Sequence, residues 1–128
     1  MPIANSLTAR VAEILDELAR CGRMIFYSDL AARLGLAPIT VWKIHPLCGA
    51  FDVIDQEDGT NRRPFRTVLV VLKEKDKQRP GNGFYEAVVK YRHHPPARSD
   101  AEKWELFATE SRAVYDYAKA TSAGLQRA

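Results

Sequence analysis

The chain has 128 residues, 46% hydrophobic and 27% charged, with 19 Lys and Arg against 16 Asp and Glu for a net charge of +3. That length and balance suit one globular domain and exclude a disordered polar chain. No apolar run approaches the roughly 20 residues that cross a bilayer. The start, MPIANSLTARVAEILDEL, lacks the basic leader and apolar run of a secretory signal, so the cytoplasm, with reduced thiols, is the expected compartment. Cys21 and Cys48 make neither a disulfide framework nor a four-ligand metal site.

Leu7, Val11, Ile14, Leu15 and Leu18 share one face at helical spacing; Ser6 can cap that first helix and Gly22 ends it. Met24-Ile25-Phe26-Tyr27 is too short for a helix and reads as a small strand. A second helix is expected from Ser28 or Tyr27, with Asp29 in its first turn, Leu30, Ala31 and Leu34 inward, and Gly35 at its end. Gly35-Leu36-Ala37-Pro38 leads into a third helical stretch from Pro38 or Thr40, with a break near His45 set by Pro46. Leu47, Ala50, Phe51 and Ile54 resume helical spacing, followed by the acids Asp52, Asp55, Glu57 and Asp58 and a turn at Gly59-Thr60-Asn61. Residues 66–72, RTVLVVL, are β-branched and read as the clearest strand. A polar loop fills 73–83, and Phe84 to Tyr91 fits a short amphipathic helix. His93-His94-Pro95-Pro96 is a connector. Ser99-Asp100-Ala101-Glu102 is a capping box for a last helix whose apolar face holds Trp104, Phe107, Val114 and Ala118. Residues 1–122 are expected to form one domain and 123–128 a frayed tail.

This order of elements, with the 66–72 strand running into a basic loop, is that of a winged helix-turn-helix. The expected fold is α+β: a mainly helical winged helix-turn-helix with a small antiparallel sheet and an added C-terminal helix. Met24 to Gly35, MIFYSDLAARLG, resembles the hydrophobic-Tyr-polar-acidic-Leu-Ala-x-x-Leu-Gly stretch of the DNA-binding domain of O6-alkylguanine-DNA alkyltransferases and alkyltransferase-like proteins. The resemblance extends over roughly residues 24–72 and implies a recognition helix that binds in the minor groove. Where that family carries Pro-Cys-His-Arg-Val, this chain reads Pro64-Phe65-Arg66-Thr67-Val68. Phe65 offers no nucleophile, so the resemblance implies lesion binding without alkyl transfer. The family's base-flipping Arg has no counterpart, because the chain holds no Arg between 34 and 61 and offers only Lys43 there.

The strongest functional signal is charge. Residues 62–79 carry seven bases, Arg62, Arg63, Arg66, Lys73, Lys75, Lys77 and Arg79, against two acids, whereas 51–61 carry four acids and no base. A basic wing of this kind can contact phosphates, with Thr40 and Lys43 on the presented helix. The same Lys-Glu-Lys-Asp-Lys alternation also suits a solvated loop that keeps a sheet edge soluble. Asp55 or Glu57 can pair with Arg62 or Arg63 and hold the hairpin. Trp42 fits either the core or an anchor for a partner. Arg79-Pro80-Gly81-Asn82-Gly83-Phe84 lacks the Lys-Ser/Thr of a P-loop and reads first as a turn, secondly as backbone N–H groups for an anion. His45 with Cys48 gives two ligands at most, and His93 and His94 diverge, so no metal, cofactor or catalytic arrangement is read.

Three functions follow. The first is a non-enzymatic winged-helix protein that binds DNA or RNA, as a regulator or accessory factor of a mobile-element or defence system. The second is a protein-interaction module or homodimer on the same scaffold. The third is an alkyltransferase-like lesion binder, which needs a cavity beside Phe65. An acidic presented helix, or a basic wing set away from it, favours a protein partner over DNA.

Overall fold

A computed structural model describes residues 2–73 and 78–127. Its elements are α1 (Pro2–Cys21), β1 (Ile25–Phe26), α2 (Tyr27–Arg33), a 3-10 turn over Trp42–Ile44, α3 (Pro46–Thr60), a second 3-10 turn over Arg66–Leu69, β2 (Val70–Val71), α4 (Asn82–Arg92) and α5 (Asp100–Arg127). α1 turns its expected apolar stripe inward and ends at Gly22, whose φ of +67° suits a residue without Cβ. The helix already runs from Pro2, so Ser6 lies within it rather than capping it.

His45 breaks the chain as Pro46 requires, and it does so by starting a helix. Pro46 takes the first position of α3, where a missing N–H costs nothing. His45 Nδ1 accepts the Leu47 N–H at 3.2 Å, so the neutral ring carries its proton on Nε2 and donates it to the Ala37 carbonyl at 2.9 Å. The third helical stretch expected from Pro38 or Thr40 shrinks to the three-residue turn at Trp42–Ile44.

The expected winged helix with an antiparallel sheet does not form. The described residues hold two strands of two residues each, paired in parallel, with Ile25 opposite Val70 and Phe26 opposite Val71. A parallel pair needs a long crossover, and α2, the 42–44 turn and α3 supply it. The RTVLVVL segment winds through a 3-10 turn before its two strand residues. The cause lies in α3. The Asp58 carboxylate accepts the Arg66 N–H at 3.0 Å, and Asp55 accepts the Thr67 hydroxyl at 2.6 Å. These bonds fix the first residues of the segment in a turn. Residues 65–71 are buried throughout, so tertiary packing rather than β propensity sets their conformation.

Val11 and Leu15 of α1, Leu30 of α2, Leu47 and Ile54 of α3, Phe65, Val68 and Leu69 between, Val88 of α4 and Val114 of α5 form one continuous core. No helix among the described residues is long and apolar enough to cross a membrane.

Candidate functional site

The bases expected to form a wing are dispersed. Thr40 and Lys43 are exposed on the connection from α2 to α3. Arg62 is exposed and Arg63 partly so, beyond the far end of α3, whose 15 residues span about 21 Å. Lys73 is exposed after β2, with its ammonium 5.5 Å from the Phe26 ring. Lys75 and Lys77 lie outside the described residues.

Arg66 and Arg79 face inward. Arg66 gives Nε and Nη2 to Asp58, at 3.1 and 2.9 Å, Nη1 to Asp16 at 3.3 Å and Nη2 to Glu57 at 3.3 Å. Burial pulls its guanidinium down, and the bond to Asp58 with the charges of Asp58, Asp16 and Glu57 overcomes this, so its pKa is raised. Arg63 joins the cluster through Asp16, at 3.5 Å, and stacks over Tyr117 at 4.7 Å. Arg79 bonds Asp100 at 2.6 Å and lies over the Trp104 ring at 5.1 Å. A guanidinium already engaged by carboxylates of its own chain has less to offer a phosphate. The expected pairing of Asp55 or Glu57 with Arg62 or Arg63 is replaced by Asp58 with Arg63 and Arg66, and Glu57 with Arg66. The signal was four acids followed at once by arginines. Which acid meets which arginine depends on the turn at 61–65.

The segment from Thr40 to His45 is displayed rigidly. Trp42 packs edge-on against Tyr27 at 5.2 Å and Phe51 at 5.3 Å, and the His45 ring ties the far end. On either side of Trp42 the chain turns Val41 (53% exposed) and Ile44 (81% exposed) to solvent. Along α3 the exposed positions are Pro46, Gly49, Asp52, Val53, Gln56, Glu57 and Thr60, with two acids and no base. By sequence, Ile44 fits the core together with Trp42, and Val41 carries no signal; the structure instead exposes both Ile44 and Val41.

Beneath this face the Tyr27 hydroxyl accepts the Gly81 N–H at 3.1 Å, and burial raises the phenol to about 12. Burial likewise pushes the Asp55 carboxyl up to about 7, against the Thr67 hydrogen bond and with help from the negative charges of Asp58 and Asp52. The Gly81 N–H is therefore consumed by a side chain in the fold itself, and the Arg79–Phe84 segment acts as a turn.

Two clefts flank Arg63 and Pro64. One, of about 230 Å³, lies between α1 and α5 and includes Asp16, Arg20 and Tyr117. The other, of about 520 Å³, is lined by Gly59, Arg62, Arg63, Tyr91, Arg92, His93 and Glu110 among others. Phe65 is fully buried under the Arg92 guanidinium and lines neither, and no described residue of the 73–83 loop lines either one. Neither cleft lies between the Thr40–Ile44 turn and the described part of the 73–83 loop, where lesion binding needs one. No group of three His, Cys, Asp or Glu among the described residues could hold a metal ion. No family model, curated protein or solved structure matches the chain.

Proposed function

We propose that the protein is a non-enzymatic interaction protein of the cytoplasm that docks a protein partner through the Thr40–Ile44 turn and the exposed face of α3. One observation carries this reading: Ile44 stands 81% exposed on a turn that Trp42 and His45 hold rigid. Burying one such side chain is worth about 1.5–3 kcal/mol, a gain left unused in the isolated chain. A rigid turn also loses little entropy on docking. Val41, Ile44 and Val53 are exposed apolar residues, and Thr40, Lys43, Asp52 and Glu57 are exposed polar residues of the same two segments, the composition of a small interface. The acidic face of α3 speaks against a DNA groove, and the internal pairing of Arg66 and Arg79 removes two of the expected phosphate contacts.

A photo-crosslinker at position 44 tests this in cells. It is expected to capture one protein species, lost in the Val41→Asp variant and retained when the distant Arg62 is replaced by Gly. Tight DNA or RNA binding that weakens with salt, survives Ile44→Asp and fails in Lys43→Ala or Lys73→Ala would overturn it.

A further inference from the structure

Among the described residues, the only non-glycine residues with a left-handed backbone are Arg62, at φ +55°, and His93, at φ +56°. Both line the same cleft of about 520 Å³. A side chain in this conformation clashes with its own backbone, and such strain gathers at functional sites. Each residue follows the last turn of a helix. At the end of α3 the Arg62 N–H reaches the Gly59 carbonyl at 3.3 Å and the Arg63 N–H reaches Asp58 at 2.9 Å, a pattern whose left-handed position is usually glycine. His93 occupies the left-handed position after α4.

Basic residues at a helix carboxyl end also offset its dipole. That role needs no left-handed residue, and α4 already fills it with Lys90 and Arg92 in its last turn. Beside Arg62 and His93, the lining holds two guanidiniums that are fixed in advance. Arg92 is gripped by Glu110 through two bonds of 2.6 Å and stacks 4.4 Å over Phe65; Glu110 also accepts the Phe65 N–H at 2.7 Å. Arg63 stacks over Tyr117, and its Nε is buried without a hydrogen bond, although it lies 3.3 Å from Asp58. Arg62 has no carboxylate partner among the described residues. Glu110 is the one carboxylate in the lining, and Arg92 and Phe65 use both its oxygens.

We infer that this cleft binds a single phosphate group, with Arg62 as the principal contact and His93 beside it. Arginine suits the task because its planar fork matches phosphate oxygens. The inference is independent of the protein-docking turn, which lies at the opposite end of α3.

Arg62→Gly separates binding from folding, because it removes the guanidinium and relaxes the backbone at once. Titration of the full chain with inorganic phosphate at low ionic strength, followed by calorimetry, is expected to show one saturable site. Arg62→Gly should weaken it by about tenfold, the loss of one charge-assisted hydrogen bond, while its Tm stays level or rises. Arg62→Lys should retain binding to within about threefold, since the charge stays. A second arm uses a short oligothymidylate. Tighter binding than inorganic phosphate, equally lost in Arg62→Gly, assigns the phosphate to a nucleic acid; no gain assigns it to a small molecule. Phosphate binding that Arg62→Gly and His93→Gly both leave unchanged, or that never saturates, overturns the site.

Discussion

Asp55 is 5% exposed and accepts the Thr67 hydroxyl, and burial lifts its carboxyl from 3.8 to about 7. The unfolded chain releases this proton near 3.8, whereas the folded chain holds it to about 7. The folded state therefore binds the extra proton between these values, and stability falls as pH rises through the interval. Burial raises Asp58 too, against the bonds and charge of Arg66, and its contribution has the same sign. Urea midpoints of the wild type should accordingly be lower at pH 8 than at pH 5. Asp55→Asn keeps an oxygen for Thr67 and cannot ionise, so its midpoint should depend less on pH and exceed that of the wild type at pH 8. Equal slopes in the two proteins would show that Asp55 is not the group responsible. The acidic run around Asp55 was plain in the sequence. That Asp55 and Asp58 turn inward while Asp52 and Glu57 stay outside follows from the face of α3 that meets the core.

Elements whose signals are local appear where the sequence places them. The Ser99 hydroxyl accepts the Glu102 N–H at 3.2 Å, and the Glu102 carboxylate reaches back to the Arg98 N–H at 3.3 Å. The capping box thus forms, with its return bond one residue earlier than the usual pattern. Ser99→Ala should cost about 1 kcal/mol in a urea titration, and Ser99→Asp should restore most of it. Gly22 and Gly35 both take positive φ after helices that end as expected. RTVLVVL is the opposite case. Its β-branched residues favour a strand, but Asp58 and Asp55 capture its first two residues. No pattern within seven residues reports an acceptor eight or twelve positions earlier on another element.

At the scale of the molecule, Gly59 marks where α3 and α4 meet. A Cβ there would lie 2.6 Å from Tyr91 Cβ and 3.2 Å from the Tyr91 carbonyl. Gly59→Ala should therefore destabilise by about 1–3 kcal/mol through overpacking, although alanine is the better helix former. A thermal melt checks this: a variant as stable as the wild type would mean that the two helices separate at little cost. The Tyr91 hydroxyl donates to Asp52 at 2.8 Å across the same contact, so one surface acid is also engaged. The net charge of +3 divides likewise. Arg66 and Arg79 are engaged within the fold, by Asp58 and Asp100, and add nothing to an exposed basic face.

By itself the sequence determined the helices at either end, the stop at Gly22, the cap at Ser99, the buried apolar stripe of α1 and the abrupt change from acid to base at residues 61–62. These depend on contacts within a turn or two, and the residues that make them are neighbours in the chain. Only the tertiary structure decided that the strands pair in parallel, that Arg66 and Arg79 face inward, and that Val41 and Ile44 face solvent. It also brought Arg62 and His93, ends of two different helices, to one cleft. Each of these depends on partners far apart in sequence. A buried charge is positioned by the opposite charge it meets, and the chain carries more candidate pairs than the fold can use.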